Sequence, residues 1–186
     1  MKKLIFALIA GASAMGAAQA QGPYVGVGIA SADRSANIAG ATNVSGDGYK
    51  ASGKVFGGYE IDQRWGVEAG YTDQRSADYG YTLNNVPGRA ETDGNSFYIA
   101  GKATAPINDQ FSVYGKLGAA HNKSTLRATT VSLNRDESKT ELYGALGGQY
   151  NLSKQVALTL EYERYGKSKD FGAKADVWTV AARYSF

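Results

Sequence analysis

The sequence has no cysteine, one histidine and three prolines among its 186 residues. An oxidising compartment is therefore permitted, but no disulfide can hold the fold together. After the first 20 residues there is no apolar run long enough for a membrane-spanning helix, and the mean hydropathy is −0.34. Lys and Arg show no clustered excess, which disfavours a nucleic-acid-binding protein. In contrast, 24 Gly and 13 Tyr exceed what an ordinary soluble domain requires.

The first 20 residues have the pattern of a secretory signal peptide. Lys2 and Lys3 form a charged region, residues 4–14 are apolar, and Ala18-Gln19-Ala20 is a cleavage motif. An N-terminal membrane anchor is disfavoured because the apolar run is short and rich in Ala and Gly. We expect residues 1–20 to be removed after Sec-type export, leaving 21–186 as one domain. Without Lys2 and Lys3, that domain has 18 basic and 17 acidic residues, a net charge near +1.

The last residues alternate in polarity. Apolar side chains occupy every second position, with polar or small ones between them. A period of two predicts a β-strand whose two faces meet different environments. An apolar outer face and a polar inner face are typical of a closed barrel in a lipid bilayer. The apolar positions are Val180, Ala182, Tyr184 and Phe186.

A turn motif repeats along the chain at residues 61–65, 107–111 and 152–156. Each copy has an aliphatic residue, three polar residues and an apolar residue, and alternating segments flank it. The copies predict three tight hairpin turns, whereas the polar stretches 31–48, 74–95, 122–139 and 167–174 predict longer loops at the opposite end. Eight strands result, at 24–30, 49–60, 65–73, 96–105, 111–121, 140–150, 156–165 and 176–186. We predict an all-β fold, an eight-stranded antiparallel up-and-down transmembrane β-barrel of the Gram-negative outer membrane.

Aromatic residues concentrate near both ends of the apolar face. Membrane–water interfaces select such belts, so these side chains are predicted to face lipid headgroups. They are Tyr59, Trp65, Tyr71, Phe97, Phe111, Tyr150, Tyr162 and Trp178.

The opposite, inward face carries charges at similar depths. An eight-stranded barrel has room only for side chains, so these charges should pair and fill the lumen. We expect Lys102 and Arg183 to pair with carboxylates such as Glu161 or Glu163, and inward glycines to make room for the long side chains. A gate or catalytic site is the alternative. The charges are Lys54, Glu68, Lys102, Lys116, Glu161, Glu163 and Arg183.

The segments 54–60, 65–71, 111–118 and 143–150 resemble hairpins of the OmpA-like and opacity-type outer-membrane barrels. The resemblance implies that Lys54, Glu68, Lys102, Glu161 and Arg183 form salt bridges that close the lumen. It also implies that Val180, Ala182, Tyr184 and Phe186 form the signal read by the barrel-assembly machinery. It covers the barrel domain only, and we expect no peptidoglycan-binding domain.

The expected function is structural and interactive rather than enzymatic, with long outer loops that engage host surfaces or phage. Outer-membrane lipid and lipopolysaccharide are the expected surroundings, and no catalytic, cofactor-binding or metal-binding residue is predicted. A small or gated pore is one alternative. A lipid A-modifying enzyme is another, with His121 as its candidate base, although Lys123 stands where lipid A deacylases place a serine.

Overall fold

The computed structural model describes the backbone of residues 22–36, 42–46, 49–83, 86–128, 135–166 and 171–186. Side chains are described for 22–31, 51–73, 93–125, 138–166 and 176–186. The predicted signal peptide lies outside these ranges. Within them, no helix has the length and apolarity needed to cross a membrane.

Nine strand segments follow one another along the described chain. Eight of them close an antiparallel ring, because β1 pairs with β3 on one side and with β9 on the other. The short β2 continues the line of β3 along β4. The predicted eight-stranded antiparallel barrel is confirmed. The segments are β1 Gly22–Ala36, β2 Thr42–Gly46, β3 Tyr49–Glu60, β4 Trp65–Leu83, β5 Val86–Pro106, β6 Phe111–Ala128, β7 Arg135–Asn151, β8 Val156–Tyr165 and β9 Phe171–Ser185.

The three turn motifs form equivalent hairpins. In the first, Ile61 N donates to Trp65 O at 2.8 Å, and the same pairing recurs from Ile107 and Leu152 at 2.9 Å. The second residue of each motif accepts backbone N–H groups with its side chain, through Asp62, Asn108 and Ser153. These side chains satisfy donors that a four-residue turn would leave unpaired.

At the opposite ends of the strands, two predictions were wrong. The structure forms paired strands in much of the ranges 74–95 and 122–139, where loops were predicted. β4 and β5 remain paired from Trp65↔Ala103 to Leu83↔Val86, and β6 and β7 remain paired as far as Leu126↔Arg135. The strands therefore run well beyond the predicted ends at residues 73, 96, 121 and 140. Alternation reveals a strand only where its faces meet lipid and lumen, whereas beyond the membrane both faces meet water.

The apolar face points outward. Leu142, Leu146 and Leu117 are 71, 70 and 66 % exposed, although they belong to regular strands. In a water-soluble barrel these side chains would form the core. Here most buried positions carry Lys, Glu, Arg, Ser, Thr, Tyr or Ala instead, so the core is the largely polar lumen.

Candidate functional site

The lumen contains a network of ion pairs at its centre. Lys54 Nζ lies 3.0 Å from a Glu161 carboxylate oxygen and 2.8 Å from one of Glu163. Lys116 Nζ lies 2.6 Å from Glu68 Oε1 and also contacts Glu161. All five side chains are buried. β3, β4, β6 and β8 thus meet through charged groups, and Glu161 bridges the two lysines.

A second group of ion pairs lies nearer the three turns. Glu60 Oε1 accepts from Lys102 Nζ at 2.9 Å and from Arg183 Nη1 at 2.8 Å. Arg183 also donates to Gln149 at 3.0 Å and stacks on the Tyr24 ring, 3.7 Å from its centroid. The expected partners of Lys102 and Arg183, Glu161 or Glu163, were wrong. Glu60 takes that role because it ends β3 at the same depth as these two cations.

Glu60 is one of the site residues that the sequence reasoning missed. The signal was present, since Glu60 shares the inward parity of Lys54 on β3. With Glu60 included, the described network contains four cations and four carboxylates. The opposing charges balance, which reduces the penalty of burying them.

Tyrosine hydroxyls complete the hydrogen bonding of the carboxylates. Tyr24 donates to Glu68 at 2.8 Å, and Tyr114 donates to Glu161 at 2.6 Å. Glu163 accepts from two further tyrosines and from Thr179, and Tyr98 donates to Glu68. Sequence reasoning placed tyrosines only in the outer belts, but these rings have inward parity on their strands. The inward tyrosines are Tyr24, Tyr98, Tyr114, Tyr143 and Tyr165.

The inward glycines make room mainly for aromatic rings. A Cβ added at Gly58 would lie 2.5 Å from the Tyr24 ring, and one at Gly70 would lie 2.5 Å from the Tyr98 ring. Gly147 faces Tyr114 in the same way. The expectation that these glycines accommodate charged side chains holds at Gly66, which faces the Glu60 carboxylate. Tyr98 and Tyr143, on the two strands that flank β6, stack inside the lumen with 4.3 Å between ring centroids.

This arrangement is suited to closing the barrel rather than to chemistry. Lys and Glu groups satisfy one another, and tyrosines occupy the remaining carboxylate lone pairs. In the part of the chain that the structure describes, no cluster of three or more His, Asp or Glu side chains is arranged to hold a metal ion.

The outer surface holds the residues predicted to face lipid. All eight predicted belt aromatics are exposed, and Tyr162 packs against Trp178 at 5.3 Å between centroids. Val180, Ala182, Tyr184 and Phe186 also point outward, and Phe186 makes an edge contact with Tyr184. The position of these residues on the lipid-facing wall is consistent with both predicted roles, which remain proposals.

His121 joins two strands on the outer wall. Its Nδ1 lies 2.9 Å from Thr140 Oγ1 on β7, and its Nε2 lies 2.9 Å from Ser138 Oγ on the same strand. The sequence did not reveal this serine because it belongs to the neighbouring strand. Among the hydrogen bonds of the described residues, none links the imidazole to a carboxylate. We therefore interpret His121 as a residue that links β6 to β7 through side-chain hydrogen bonds.

The comparisons with known proteins agree with this architecture. Residues 4–186 match the family described as "Outer membrane protein beta-barrel domain". The chain belongs to this family of outer-membrane barrels. The predicted outer-membrane location is thereby confirmed.

The chain is similar to two characterised members of outer-membrane protein families. The chain is 32 % identical to the attachment invasion locus protein of Yersinia enterocolitica over 130 residues, which cover 69 % of this chain and 68 % of that protein. It is 29 % identical to outer membrane protein A of Serratia marcescens over 133 residues, which cover 69 % of this chain but 34 % of that protein. The resemblance to OmpA-like barrels is confirmed for the barrel domain.

A solved structure supports the fold. Ail, the attachment invasion locus protein of Yersinia pestis, was crystallised with the heparin analogue sucrose octasulfate. It superposes with a TM-score of 0.56 and 23 % identity, covering 88 % of this chain and 97 % of that one. At this identity, the similarity establishes the shared barrel fold.

Proposed function

We propose that this protein is a surface-interaction protein of the outer membrane, in which the barrel is a rigid platform and the outer strand extensions bind external ligands. The supporting observation is the combination of a filled lumen with strands far longer than a membrane requires. A tilted membrane strand needs about 9–11 residues. β4 and β5 have 19 and 21.

The β4–β5 hairpin is the largest described projection. Tyr71 and Phe97 are register partners at the outer aromatic belt, and the pairing continues to Leu83↔Val86. Twelve further residues of strand correspond to about 40 Å along the chain. A paired, extended hairpin holds its binding residues in place at a smaller entropy cost than an open loop.

Host-surface ligands are the proposed partners, and sulfated glycans are the first class to test. The Yersinia relatives are named for attachment and invasion, and the Yersinia pestis protein binds a heparin analogue in its crystal structure. Lys123, Lys139 and Arg164 lie exposed at the outer end of this barrel, where a polyanion would arrive. Phage, lipopolysaccharide and the assembly machinery remain further proposed partners.

The proposal assigns neither conduction nor catalysis to the barrel. Buried ion pairs and stacked tyrosines occupy the lumen that a pore would need to keep open. His121 has hydroxyl partners on both nitrogens and lacks the carboxylate partner of a catalytic triad among the described contacts. A surface role agrees better with both observations.

The test counts the bacterial cells that bind to a heparin-coated surface and to cultured epithelial cells. A non-adherent laboratory strain would express the parent chain or a shortened variant in which Asn-Gly replaces residues 75–93. The design exploits the register pair Gln74↔Gly94, which a two-residue Asn-Gly turn can close. We expect the parent to increase binding to both surfaces. The shortened barrel should lose most of the increase on epithelial cells, whereas Lys123→Gln/Arg164→Gln should lose most of the increase on heparin. Asp62→Asn, at the opposite end, is the matched control. Parent-expressing cells that bind no better than empty cells would refute the proposal.

A further inference from the structure

The ion-pair network of the lumen balances as a whole but not group by group. The central group carries one more carboxylate than it has cations, and it consists of Lys54, Lys116, Glu68, Glu161 and Glu163. The turn-end group carries one more cation than it has carboxylates, and it consists of Lys102, Arg183 and Glu60. The two groups therefore have excess charges of opposite sign.

Neutral hydroxyl donors compensate the excess carboxylate of the central group. Glu163 accepts from the Tyr143 hydroxyl at 2.7 Å and from the Tyr165 hydroxyl at 2.8 Å. The other two carboxylates of this group also accept from tyrosine hydroxyls. Hydrogen bonds of this kind stabilise a buried anion without adding another charge.

Within the described contacts, no comparable set of neutral acceptors compensates the excess cation of the turn-end group. Lys102 and Arg183 share one carboxylate oxygen, Glu60 Oε1, at 2.9 and 2.8 Å. The neutral acceptor that these contacts add is Gln149 Oε1, which lies 3.0 Å from Arg183 Nη1. Because Lys has three N–H donors and Arg has five, donors outnumber acceptors in this group.

One of these donors is buried and unpaired. Arg183 is 7 % exposed, and its Nε has no hydrogen-bond partner in the described part of the lumen. The guanidinium carbon lies 3.7 Å from the centroid of the Tyr24 ring, which limits how far the group can turn towards another acceptor. A buried charged donor without an acceptor is unfavourable, so this position favours a ligand that accepts hydrogen bonds.

The turn-end group is also more accessible than the central group. The Glu60 side chain is 13 % exposed, whereas each side chain of the central group is at most 2 % exposed. A small solute can therefore reach the turn-end group from the turn end of the barrel, while the central group excludes it.

We propose that the turn-end group binds one small, singly charged inorganic anion between Lys102 and Arg183, with chloride as the ion to test. A monovalent anion cancels the excess charge of the group and accepts from Arg183 Nε and from Lys102 Nζ. The site favours a small ion because the Tyr24 and Tyr114 rings flank Lys102 Nζ, with centroids 5.2 and 4.7 Å away. Binding stabilises the turn end of the filled lumen. The proposal is independent of the surface-interaction role, which belongs to the opposite end of the barrel.

The direct test follows the arginine Nε–H resonances of the refolded barrel by NMR in uncharged detergent micelles. Sodium chloride replaces sodium gluconate at constant ionic strength, and Arg183→Lys identifies the Arg183 resonance by its loss. We expect this resonance to shift along a saturable one-site curve, with half-saturation below about 100 mM. The Arg164 resonance is the internal control, because that side chain is exposed and pairs with Asp176. No shift of the Arg183 resonance, or a shift that only matches that of Arg164, would overturn the proposal.

A pair of lysine variants locates the anion. Lys102→Met removes a cation from the turn-end group, whereas Lys154→Met removes one from an exposed turn at the same end of the barrel. We expect the apparent chloride affinity at Arg183 to fall about tenfold or more in the first variant and to remain unchanged in the second. Equal losses in the two folded variants would overturn the proposal by assigning the response to the general charge of this end.

Unfolding of the parent barrel in urea provides a measurement that does not depend on a lumen variant. An anion that binds only the folded barrel raises the ratio of folded to unfolded protein about elevenfold at ten times its dissociation constant. We expect a higher urea midpoint in chloride than in gluconate for the parent and for Lys154→Met. Equal midpoints in the two salts for the parent would overturn the proposal.

Discussion

Lys54 is among the most buried side chains in the described part of the barrel, and it contacts two carboxylates at once. Replacing it with Met keeps much of the volume but leaves Glu161 and Glu163 with one fewer cation. Breaking a buried pair in this way typically costs about 3–5 kcal/mol of unfolding free energy. We expect Lys54→Met to show this loss in urea unfolding in micelles.

Arg164→Met is the control for that variant. Arg164 pairs with Asp176 at 3.7 Å, but their side chains are 58 and 39 % exposed. An exposed pair contributes about 0–1 kcal/mol. Similar losses in the two variants would contradict a structural role for the lumen network.

Phe186 has a different predicted role, in assembly. Its outward ring contributes at most about 2–3 kcal/mol to the finished barrel. We expect deletion of Phe186 to lower the amount of barrel in the outer membrane of cells far more than it lowers refolding yield in detergent. Phe111→Ala is a matched control, because Phe111 and Phe186 are both 38 % exposed at the same end of the barrel. Normal cellular insertion without Phe186 would remove the assembly role.

At the scale of the element, the hairpin turns depend on one acceptor each. The N–H groups of Arg64 and Trp65 lie 2.7 Å from Asp62 Oδ1 and lower the pKa of Asp62. Because the folded-state pKa is lowered, the contribution of Asp62 is present above its ordinary pKa and is lost as pH falls through the lowered value.

Asp62→Asn should keep the turn but remove this pH dependence. An amide oxygen accepts the same two N–H groups at every pH, as Asn108 does in the next turn. The amide chemical shifts of Arg64 and Trp65, followed by NMR from about pH 6 to about pH 2, should titrate in the parent and stay constant in the variant. Titration that persists in the variant would show that another group controls the turn.

At the scale of the whole molecule, the closed ladder has no free edge within the membrane band. β1 and β9 pair from Tyr24↔Ser185 to Ala32↔Val177, so the ring is continuous there. We expect the refolded barrel to keep its fold in SDS and to change mobility only when boiled. Identical mobility before and after boiling would contradict this resistance to unfolding.

The filled lumen leads to a prediction about conduction. Reconstituted in a planar bilayer, the parent should show low conductance, because ion pairs and tyrosine rings occupy the lumen. The double variant Lys54→Ala/Lys116→Ala removes both central cations and should show more frequent or larger openings. A large and steady conductance in the parent would favour the pore alternative instead.

The sequence by itself determined the ring of strands, their faces and the three tight turns. Lipid on one side and lumen on the other impose strict alternation, so a one-dimensional pattern reveals which side chains point inward, including Lys54, Glu68 and Arg183. The turn motifs could also be predicted from the sequence, because each side-chain acceptor binds N–H groups only two or three residues further along the chain.

Only the tertiary structure decided which inward groups meet. Lys54 pairs with carboxylates more than 100 residues away, and Glu60 rather than Glu161 receives Arg183, because strand stagger around the ring sets their depths. The outer ends of β4 to β7 could not be predicted either, because the alternation of apolar and polar residues is lost where both faces of a strand meet water. The His121–Ser138 contact arises from pairing between strands, which no local pattern records.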